Sequence, residues 1–155
     1  PTVTRVVIEP LADKKRPKNA INAKYSMPYT VSTAIIDGTV TLSSFEEKNF
    51  TRPEILELAD KFTYTLNEEW EHSDDMKTGG RLTIETKDGC SYTSTVSRTL
   101  GNPENPMTDE AFEAKYFSCM ERAAVPKSHE EQTAILYKVR SLECLDDIRD
   151  LAAML

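Results

Sequence analysis

Residues 81–97 place the strongest local constraint on the fold, because they carry the pattern of a β-hairpin. The run Arg81-Leu-Thr-Ile-Glu-Thr-Lys87 alternates polar and apolar side chains, and residues 90–97 form a second run rich in Thr and Ser. Asp88-Gly89 lies between them and suits a two-residue turn in which both positions adopt positive φ. We therefore predict two antiparallel strands here. The second has few apolar residues, which indicates a solvated face or an edge position.

The other segments extend this hairpin into the predicted order β, α, α, β, β, β, α, α, α. The β-branched residues at 2–9 predict a first strand, residues 10–22 a loop, and the alternation at 62–66 a further strand. No series of βαβ units is present. The order therefore predicts an α+β fold in one domain over residues 1–155. It would be an antiparallel sheet of about four strands with helices packed on one side and further helices at the C-terminus.

The helix predicted after residue 26 has clear end signals. Ser26 is a good N-cap, Pro28 is tolerated in the first turn, and Gly38 supplies a left-handed stop. Tyr29 and Thr33 lie off the main apolar stripe, so we expect them to face a second surface such as a cleft. The stripe itself consists of Met27, Val31, Ala34 and Ile35.

Capping residues also mark the remaining helices. Thr51 and Glu54 have the spacing of a capping box, and Ser128 and Glu131 repeat it. Thr108 is predicted to cap a third helix after the Pro- and Asn-rich loop at 101–106.

Composition excludes several classes of function. The 155 residues carry a net charge of −7, which argues against non-specific nucleic-acid binding, and no apolar run approaches the ~20 residues of a membrane span. The three cysteines are far apart, so we expect small buried side chains in a reducing cytoplasmic setting (or the mitochondrial matrix of a eukaryote) rather than disulfides or a metal site. Pro1 in place of Met indicates a fragment.

No local arrangement of residues predicts a self-contained active site. Nucleophile elbow, phosphate-loop and dinucleotide motifs are absent from the sequence, and the neighbouring pairs Asp74-Asp75 and Asp146-Asp147 point in different directions on a helix or strand. His72 and His129 lack further metal-ligating partners in sequence, and Trp70 is expected to pack against a partner or the sheet. The basic residues of the 10–22 segment favour a solvated loop over an anion contact: Lys14, Lys15, Arg16 and Lys18.

Five stretches of the chain, taken together and in order, resemble the MmgE/PrpD family. Residues 23–38, A-K-Y-S-M-P-Y-T-V-S-T-A-I-I-D-G, resemble its signature A-x-[FY]-S-x-x-Y-x-x-A-x-x-L-x-D-G. The other four are F-T-R-P-E-I at 50–55, T-I-E-T-K-D-G at 83–89, G-N-P-E-N-P-M at 101–107 with K-Y-F at 115–117, and L-E-C-L-D-D-I at 142–148. The collinear series is far more specific than any single piece.

The resemblance implies the C-terminal lid domain of a larger two-domain enzyme. The family contains 2-methylcitrate dehydratases, cis-aconitate decarboxylases and iminodisuccinate epimerase. The implied activity is therefore a lyase or isomerase reaction on di- or tricarboxylates, similar to that of 2-methylcitrate dehydratase, with no metal or organic cofactor. The implied partners are a small carboxylate substrate, the all-helical domain of the same enzyme, and a second copy in a homodimer to which the helical domain contributes much of the contact.

The same resemblance supplies the candidate site. Tyr29 matches the tyrosine that lines the family's substrate cleft, so it is the candidate catalytic residue, with a packing tyrosine as the equal alternative. Lys24 and Ser26 are candidate substrate-binding residues, although capping alone accounts for Ser26 and a solvated position for Lys24. Most of the family's catalytic residues lie upstream of the matching region, so the isolated chain is expected to be inactive. The alternative function is a non-catalytic protein-interaction domain.

Overall fold

The computed structural model describes residues 2–71, 73 and 79–155, so His72 and the Asp74-Asp75 pair lie outside the described residues. The chain forms two compact units, Pro1–Thr99 and Leu100–Leu155. The prediction of a single domain over residues 1–155 stays a prediction.

The first unit consists mainly of short helices followed by one hairpin. Its elements are α1 (Thr2–Ile8), α2 (Leu11–Lys15), α3 (Ala20–Lys24), α4 (Met27–Asp37), a 3₁₀ turn (Leu42–Phe45), α5 (Glu47–Phe50), α6 (Pro53–Asp60), α7 (Glu68–Glu71), β1 (Gly80–Glu85) and β2 (Ser91–Val96). A buried cluster of Ala23, Tyr29, Phe50 and Ile55 joins α3, α4, α5 and α6.

Helix α4 begins and ends at the predicted caps. The hydroxyl of Ser26 accepts from the backbone N–H of Tyr29, Pro28 lies in the first turn, and Gly38 adopts φ 75° at the C-terminus. The predicted apolar face is wrong, because the buried face consists of Pro28, Tyr29, Ser32 and Thr33.

Burial of this polar face of α4 is possible because its hydroxyls find hydrogen-bond partners within the protein. Thr33 donates to the carbonyl of Tyr29, one turn earlier in the helix. Among the residues described, no buried side-chain nitrogen or oxygen lacks a hydrogen-bond partner. Hydrophobic spacing alone therefore selects the wrong stripe, and Ile35 remains 42% exposed.

Three secondary-structure predictions for the first unit are wrong. Residues 2–8 form helix α1 rather than a strand, residues 10–22 contain α2 and the start of α3 rather than only loop, and residues 62–66 are irregular. Ile8 is buried at the end of α1, and Glu9 accepts a hydrogen bond from the hydroxyl of Tyr64 at 2.7 Å. Strand propensity is a weak guide that such tertiary contacts override.

Helix α6 begins one residue later than the capping-box prediction required. Arg52 is its N-cap and Pro53 occupies the first turn, while the hydroxyl of Thr51 donates to the carbonyl of Glu47 at the end of α5. The buried face of α6 consists of Ile55 and Ala59, which are both fully buried.

The hairpin of β1 and β2 is confirmed, but the prediction of about four strands is not supported. Within the described residues the sheet has two antiparallel strands, with Glu85 opposite Ser91 and Gly80 opposite Val96. The predicted two-residue turn is also wrong. The N–H of Thr86 pairs with Cys90, and only Gly89 adopts positive φ, at 85°. The loop is therefore a type I turn followed by a left-handed glycine.

The second unit is helical. It contains α8 (Asp109–Met120), α9 (His129–Arg140), a 3₁₀ turn (Leu142–Cys144) and α10 (Arg149–Ala152). Thr108 caps α8, and the capping box of Ser128 and Glu131 at the start of α9 is confirmed. The hydroxyl of Tyr116 on α8 donates to the carbonyl of Gln132 on α9 at 2.8 Å, and the buried apolar residues are Ile135, Leu136 and Leu151.

All three cysteines, Cys90, Cys119 and Cys144, are exposed and unpaired. The expectation of buried thiols is therefore wrong, because the turn and helix faces that carry these residues point to solvent.

Candidate functional site

The segment that joins α3 to α4 contains all three residues predicted to form the site. Lys24 is the last residue of α3, Ser26 caps α4, and Tyr29 lies in the first turn of α4. Their side chains separate into two groups: those of Ser26 and Tyr29 are buried, whereas Lys24 is exposed.

Ser26 links the start of α4 to α2. Its hydroxyl accepts from the N–H of Tyr29 at 3.0 Å and donates to the carbonyl of Lys14 on α2. Because one hydroxyl satisfies a free donor of α4 and an acceptor of α2, Ser26 fixes where α4 begins relative to the preceding helices.

Tyr29 is completely buried, and its hydroxyl donates to the carbonyl of Ser44 in the 3₁₀ turn. Its ring lies 6.3 Å from that of Phe45, measured between centroids. Burial raises the pKa of Tyr29 above its ordinary value, because the phenolate would lose its hydration. In this arrangement Tyr29 is a neutral donor that ties α4 to residues 42–45.

The exposed part of the motif consists of Lys24 and Tyr25. The ammonium of Lys24 lies 5.8 Å from the centroid of the Phe45 ring, a cation–π contact that leaves the charge accessible to solvent. Tyr25 is 54% exposed. Tyr25 is not among the residues predicted to form the site. The signal that could have found it is its position directly before the cap, where a side chain lies outside the helix packing.

The basic residues around Pro17 act mainly as internal contacts rather than as a solvated loop. The ammonium of Lys14 donates to the carbonyl of Tyr25, and that of Lys15 donates to the carbonyl of Asp60, each at 2.7 Å. Arg16 forms an ion pair with the Asp60 carboxylate. Cations at the last carbonyls of a helix are favourable, so these residues stabilise the C-terminal ends of α3 and α6.

An open cavity of about 270 Å³ lies beside this segment. Its lining mixes both signs of charge and consists of Glu9, Pro10, Asp13, Lys14, Lys18 and Asn22. The ammonium of Lys14 already donates to the carbonyl of Tyr25, whereas Lys18 is exposed. Of the two lysines that line this cavity, Lys18 is therefore the better candidate for binding an anion from solution.

A second open cavity, of about 310 Å³, lies beyond the C-terminal end of α4. Arg52 lines it, but its guanidinium donates to both oxygens of Asp37, at 3.0 and 2.9 Å, and to Glu54 at 2.8 Å. These carboxylates raise the pKa of Arg52, and their negative charges offset the positive charge of its guanidinium. The cavity is therefore poorly suited to an anionic ligand.

The other residues considered in the sequence do not form a site in the part of the chain that the structure describes. The imidazole of His129 packs against the ring of Phe117, with 4.8 Å between the ring centroids. The indole of Trp70 lies under the guanidinium of Arg81 on β1, whose central carbon is 5.1 Å from the ring centroid. Over residues 2–71, 73 and 79–155, no three His, Cys, Asp or Glu side chains are grouped so as to hold a metal ion. No helix in these ranges is long and apolar enough to cross a bilayer.

Comparison with protein families gives a match over most of the chain. Residues 2–141 match the model of the MmgE/PrpD C-terminal domain. The chain belongs to the MmgE/PrpD family. The resemblance inferred from the five collinear motifs is therefore confirmed, and α1 to α9 lie within the matched region.

Known relatives of this MmgE/PrpD domain are cis-aconitate decarboxylases. One from Aspergillus terreus is 35% identical over 105 residues, which cover 66% of this chain and 21% of that protein. Another, from Aspergillus terreus strain NIH 2624, is 33% identical over 144 residues, covering 92% of this chain and 29% of the relative. The Homo sapiens protein is 25% identical over 144 residues, covering 90% and 28%. The chain thus spans less than a third of the length of these relatives.

Proposed function

We propose that this chain is the lid domain of a lyase that decarboxylates or dehydrates a di- or tricarboxylate, with an activity similar to that of cis-aconitate decarboxylase. The observation that carries the proposal is the match to the family's C-terminal domain over residues 2–141, together with relatives that share the name cis-aconitate decarboxylase. These relatives favour decarboxylation, whereas the sequence motifs alone led us to expect a domain like that of 2-methylcitrate dehydratase.

The chemistry of such a reaction explains why a domain with no active site of its own would be useful. Loss of CO₂ or of water next to a carboxylate leaves an electron pair that must spread onto neighbouring groups. Cations and hydrogen-bond donors stabilise that charge best in a site closed to water. A cap that closes over the substrate can add a few such groups to the proton-transferring residues of a second, helical domain.

Lys24 and Tyr25 are the side chains of the motif that are available for this task. Both are exposed, and they are adjacent at the junction of α3 and α4. An ammonium and a phenol together can bind a carboxylate through one charged and one neutral hydrogen bond. We propose that Lys24 and Tyr25 contact a substrate carboxylate and that Ser26 holds the junction in place through Lys14 and the first turn of α4.

The catalytic role of Tyr29 stays a prediction. Because its hydroxyl is buried and donates to Ser44, direct proton transfer would require it to leave that partner. The geometry supports a positioning role, in which Tyr29 keeps α4 and residues 42–45 together beneath the exposed pair. A positioning role predicts that Tyr29→Phe lowers stability and kcat together, whereas a purely catalytic role predicts a loss of kcat alone.

A domain exchange tests the proposal. Residues 2–141 would replace the matching region of the Aspergillus terreus decarboxylase, and CO₂ release from cis-aconitate would be measured. We expect turnover, and we expect Lys24→Gln in the chimaera to raise KM about tenfold or more with a smaller change in kcat. Lys48→Gln, on the exposed surface of α5, is the matched control and should leave KM unchanged.

The result also separates the two candidate classes of function. A folded chimaera without turnover on cis-aconitate or 2-methylcitrate, or a KM that Lys24→Gln leaves unchanged, would contradict the substrate-binding proposal. A non-catalytic interaction domain would then be favoured, since several apolar side chains of the first unit are exposed, among them Ile21 and Tyr25.

A further inference from the structure

The residue pair Asp-Gly occurs twice in the chain, as Asp37-Gly38 and as Asp88-Gly89. In such a pair the backbone nitrogen of the glycine can attack the side-chain carboxyl of the aspartate, because glycine has no side chain that shields its nitrogen. Both glycines adopt positive φ, at 75° and 85°. Since the two pairs have the same sequence, the structure around each decides whether it reacts.

Asp37-Gly38 is held away from this reaction at the end of α4. The guanidinium of Arg52 donates to both oxygens of Asp37, at 3.0 and 2.9 Å, and the side chains of Arg52 and Asp37 are only 28% and 31% exposed. The N–H of Gly38 donates to the carbonyl of Ala34 in the last turn of the helix. The carboxyl of Asp37 must break two charge-assisted hydrogen bonds before it can meet Gly38.

Asp88-Gly89 lies at the exposed tip of the hairpin. Both residues are exposed, and within β1 and β2 Ile84 alone is partly buried. A two-stranded hairpin with so little buried surface is marginally stable and opens locally. The carboxylate of Asp88 accepts at Oδ1 from the hydroxyl of Thr86 and, at 3.3 Å, from the N–H of Cys90. Water can replace such bonds at an exposed turn.

We propose that Asp88 is a site of spontaneous isomerisation to isoaspartate, whereas Asp37 is protected by Arg52. The nitrogen of Gly89 forms a bond to Cγ of the protonated Asp88 carboxyl, and its proton leaves with the carboxyl hydroxyl as water, which closes a succinimide ring. Water then adds to one of the two ring carbonyls and breaks the bond from that carbon to the nitrogen. Addition at the main-chain carbonyl gives isoaspartate, and water is the single co-reactant.

Isoaspartate does not fit the turn of this hairpin. Its backbone runs through the former side chain and is one carbon longer than that of aspartate. The turn is closed by the N–H of Thr86, which donates to the carbonyl of Cys90 at 2.9 Å, and by the N–H of Gly89, which donates to the carbonyl of Thr86 at 3.0 Å. Because turn geometry sets the register of a hairpin, the longer backbone separates these groups and changes the tip permanently.

Thr86 slows the reaction at Asp88. Its hydroxyl, together with the N–H of Cys90, holds the pKa of Asp88 below its ordinary value. The ionised carboxylate is a poor target for attack by nitrogen, so a lowered pKa leaves less of the reactive, protonated form at neutral pH. Thr86→Val should therefore speed the isomerisation, and because Thr86 is exposed this variant leaves the core unchanged.

Incubation of the folded 155-residue chain at neutral pH and physiological temperature tests the proposal. A protein isoaspartyl methyltransferase quantifies isoaspartate, and peptide mapping assigns it to Asp88 or Asp37. We expect at least about tenfold more isoaspartate at Asp88, because the hydrogen bonds from a charged guanidinium must break first at Asp37. The matched control is the chain unfolded in guanidinium chloride, where the two pairs should react at similar rates.

Two variants should shift the reaction in opposite directions. Thr86→Val should increase isoaspartate at Asp88 several-fold and leave Asp37 unchanged, whereas Arg52→Gln should increase it at Asp37. Equal amounts at the two sites in the folded chain would overturn the proposal, as would isoaspartate that forms in the unfolded chain and not at Asp88 in the folded one. A rate at Asp88 that Thr86→Val leaves unchanged would contradict the role of Thr86. Circular dichroism shows that each chain compared is folded.

Discussion

Replacing Tyr29 by phenylalanine isolates the contribution of one buried hydroxyl to the first unit. The substitution keeps the ring and its contact with Phe45, and it removes the donor to the Ser44 carbonyl. Tyr29 is completely buried and Ser44 is 6% exposed, so water has little access to the acceptor that is left behind. A buried acceptor without its partner costs about 1–3 kcal/mol, and we expect a loss of that size in the free energy of unfolding.

A second tyrosine in the same unit provides the matched control. The hydroxyl of Tyr64 donates to Glu9 at 2.7 Å, but Tyr64 is only half-buried, so water can replace the lost bond. Tyr64→Phe should therefore change the free energy of unfolding much less than Tyr29→Phe. Urea titrations monitored by circular dichroism give both values. In thermal melts, each kcal/mol corresponds to roughly 4–8 °C for a unit of this size.

Equal losses in the two variants would refute this reasoning, because they would show that burial of the Tyr29 hydroxyl makes no difference. A loss near zero for Tyr29→Phe would likewise contradict the proposed link between α4 and residues 42–45. Both outcomes would also weaken the positioning role that we propose for Tyr29 in the enzyme.

Two further predictions concern the cores and caps of the two units. Ile55→Ala removes a fully buried side chain from the cluster around Tyr29 and should lower the free energy of unfolding by about 2–5 kcal/mol. Leu56→Ala, at a partly exposed site, should lower it less, and urea unfolding of both variants measures the difference. Hydrogen bonds from Ser128 hold the pKa of Glu131 below its ordinary value of 4.5. The ionised carboxylate therefore stabilises the fold fully above pH 4.5, and this stabilisation is lost as the pH falls through the lowered pKa. Glu131→Ala should therefore differ from the unmodified chain in urea stability at pH 7, and the difference should shrink as the pH falls below 4.5.

The sequence predicted those features that depend on neighbouring residues. Ser26 and Gly38 mark the ends of α4 correctly, and the capping box at Ser128 marks the start of α9. Each is a hydrogen-bonding or backbone requirement met within a few residues. The hairpin was predicted for the same reason, although Gly89 alone, rather than Asp88-Gly89, supplies the positive φ.

Features that depend on distant contacts were not predicted. The β-branched residues at 2–8 suit a strand, yet the segment is a helix whose end packs Ile8 into the first unit. Thr33 was assigned to a second surface because it lies off the predicted apolar stripe, but its hydroxyl bonds to its own helix and can be buried. Lys15 and Arg16 were read as solvated, and they bind the end of α6, 44 or more residues away.

The same distinction applies to the candidate site. The family motif predicted a site at what is now seen as the junction of α3 and α4, but it could not show that Tyr29 and Ser26 are buried while Lys24 and Tyr25 are exposed. Which side of a motif faces solvent depends on the helices that pack around it, and those contacts come from Lys14, Ser44 and Phe45.

Turnover by the 155-residue chain alone shows whether the proton-transferring groups lie outside this domain, as we propose. We expect that the purified, folded chain releases no CO₂ from cis-aconitate above the rate of a buffer control, while the chimaera with the decarboxylase does. Steady release of CO₂ by the chain alone, abolished by a substitution within it, would contradict the account.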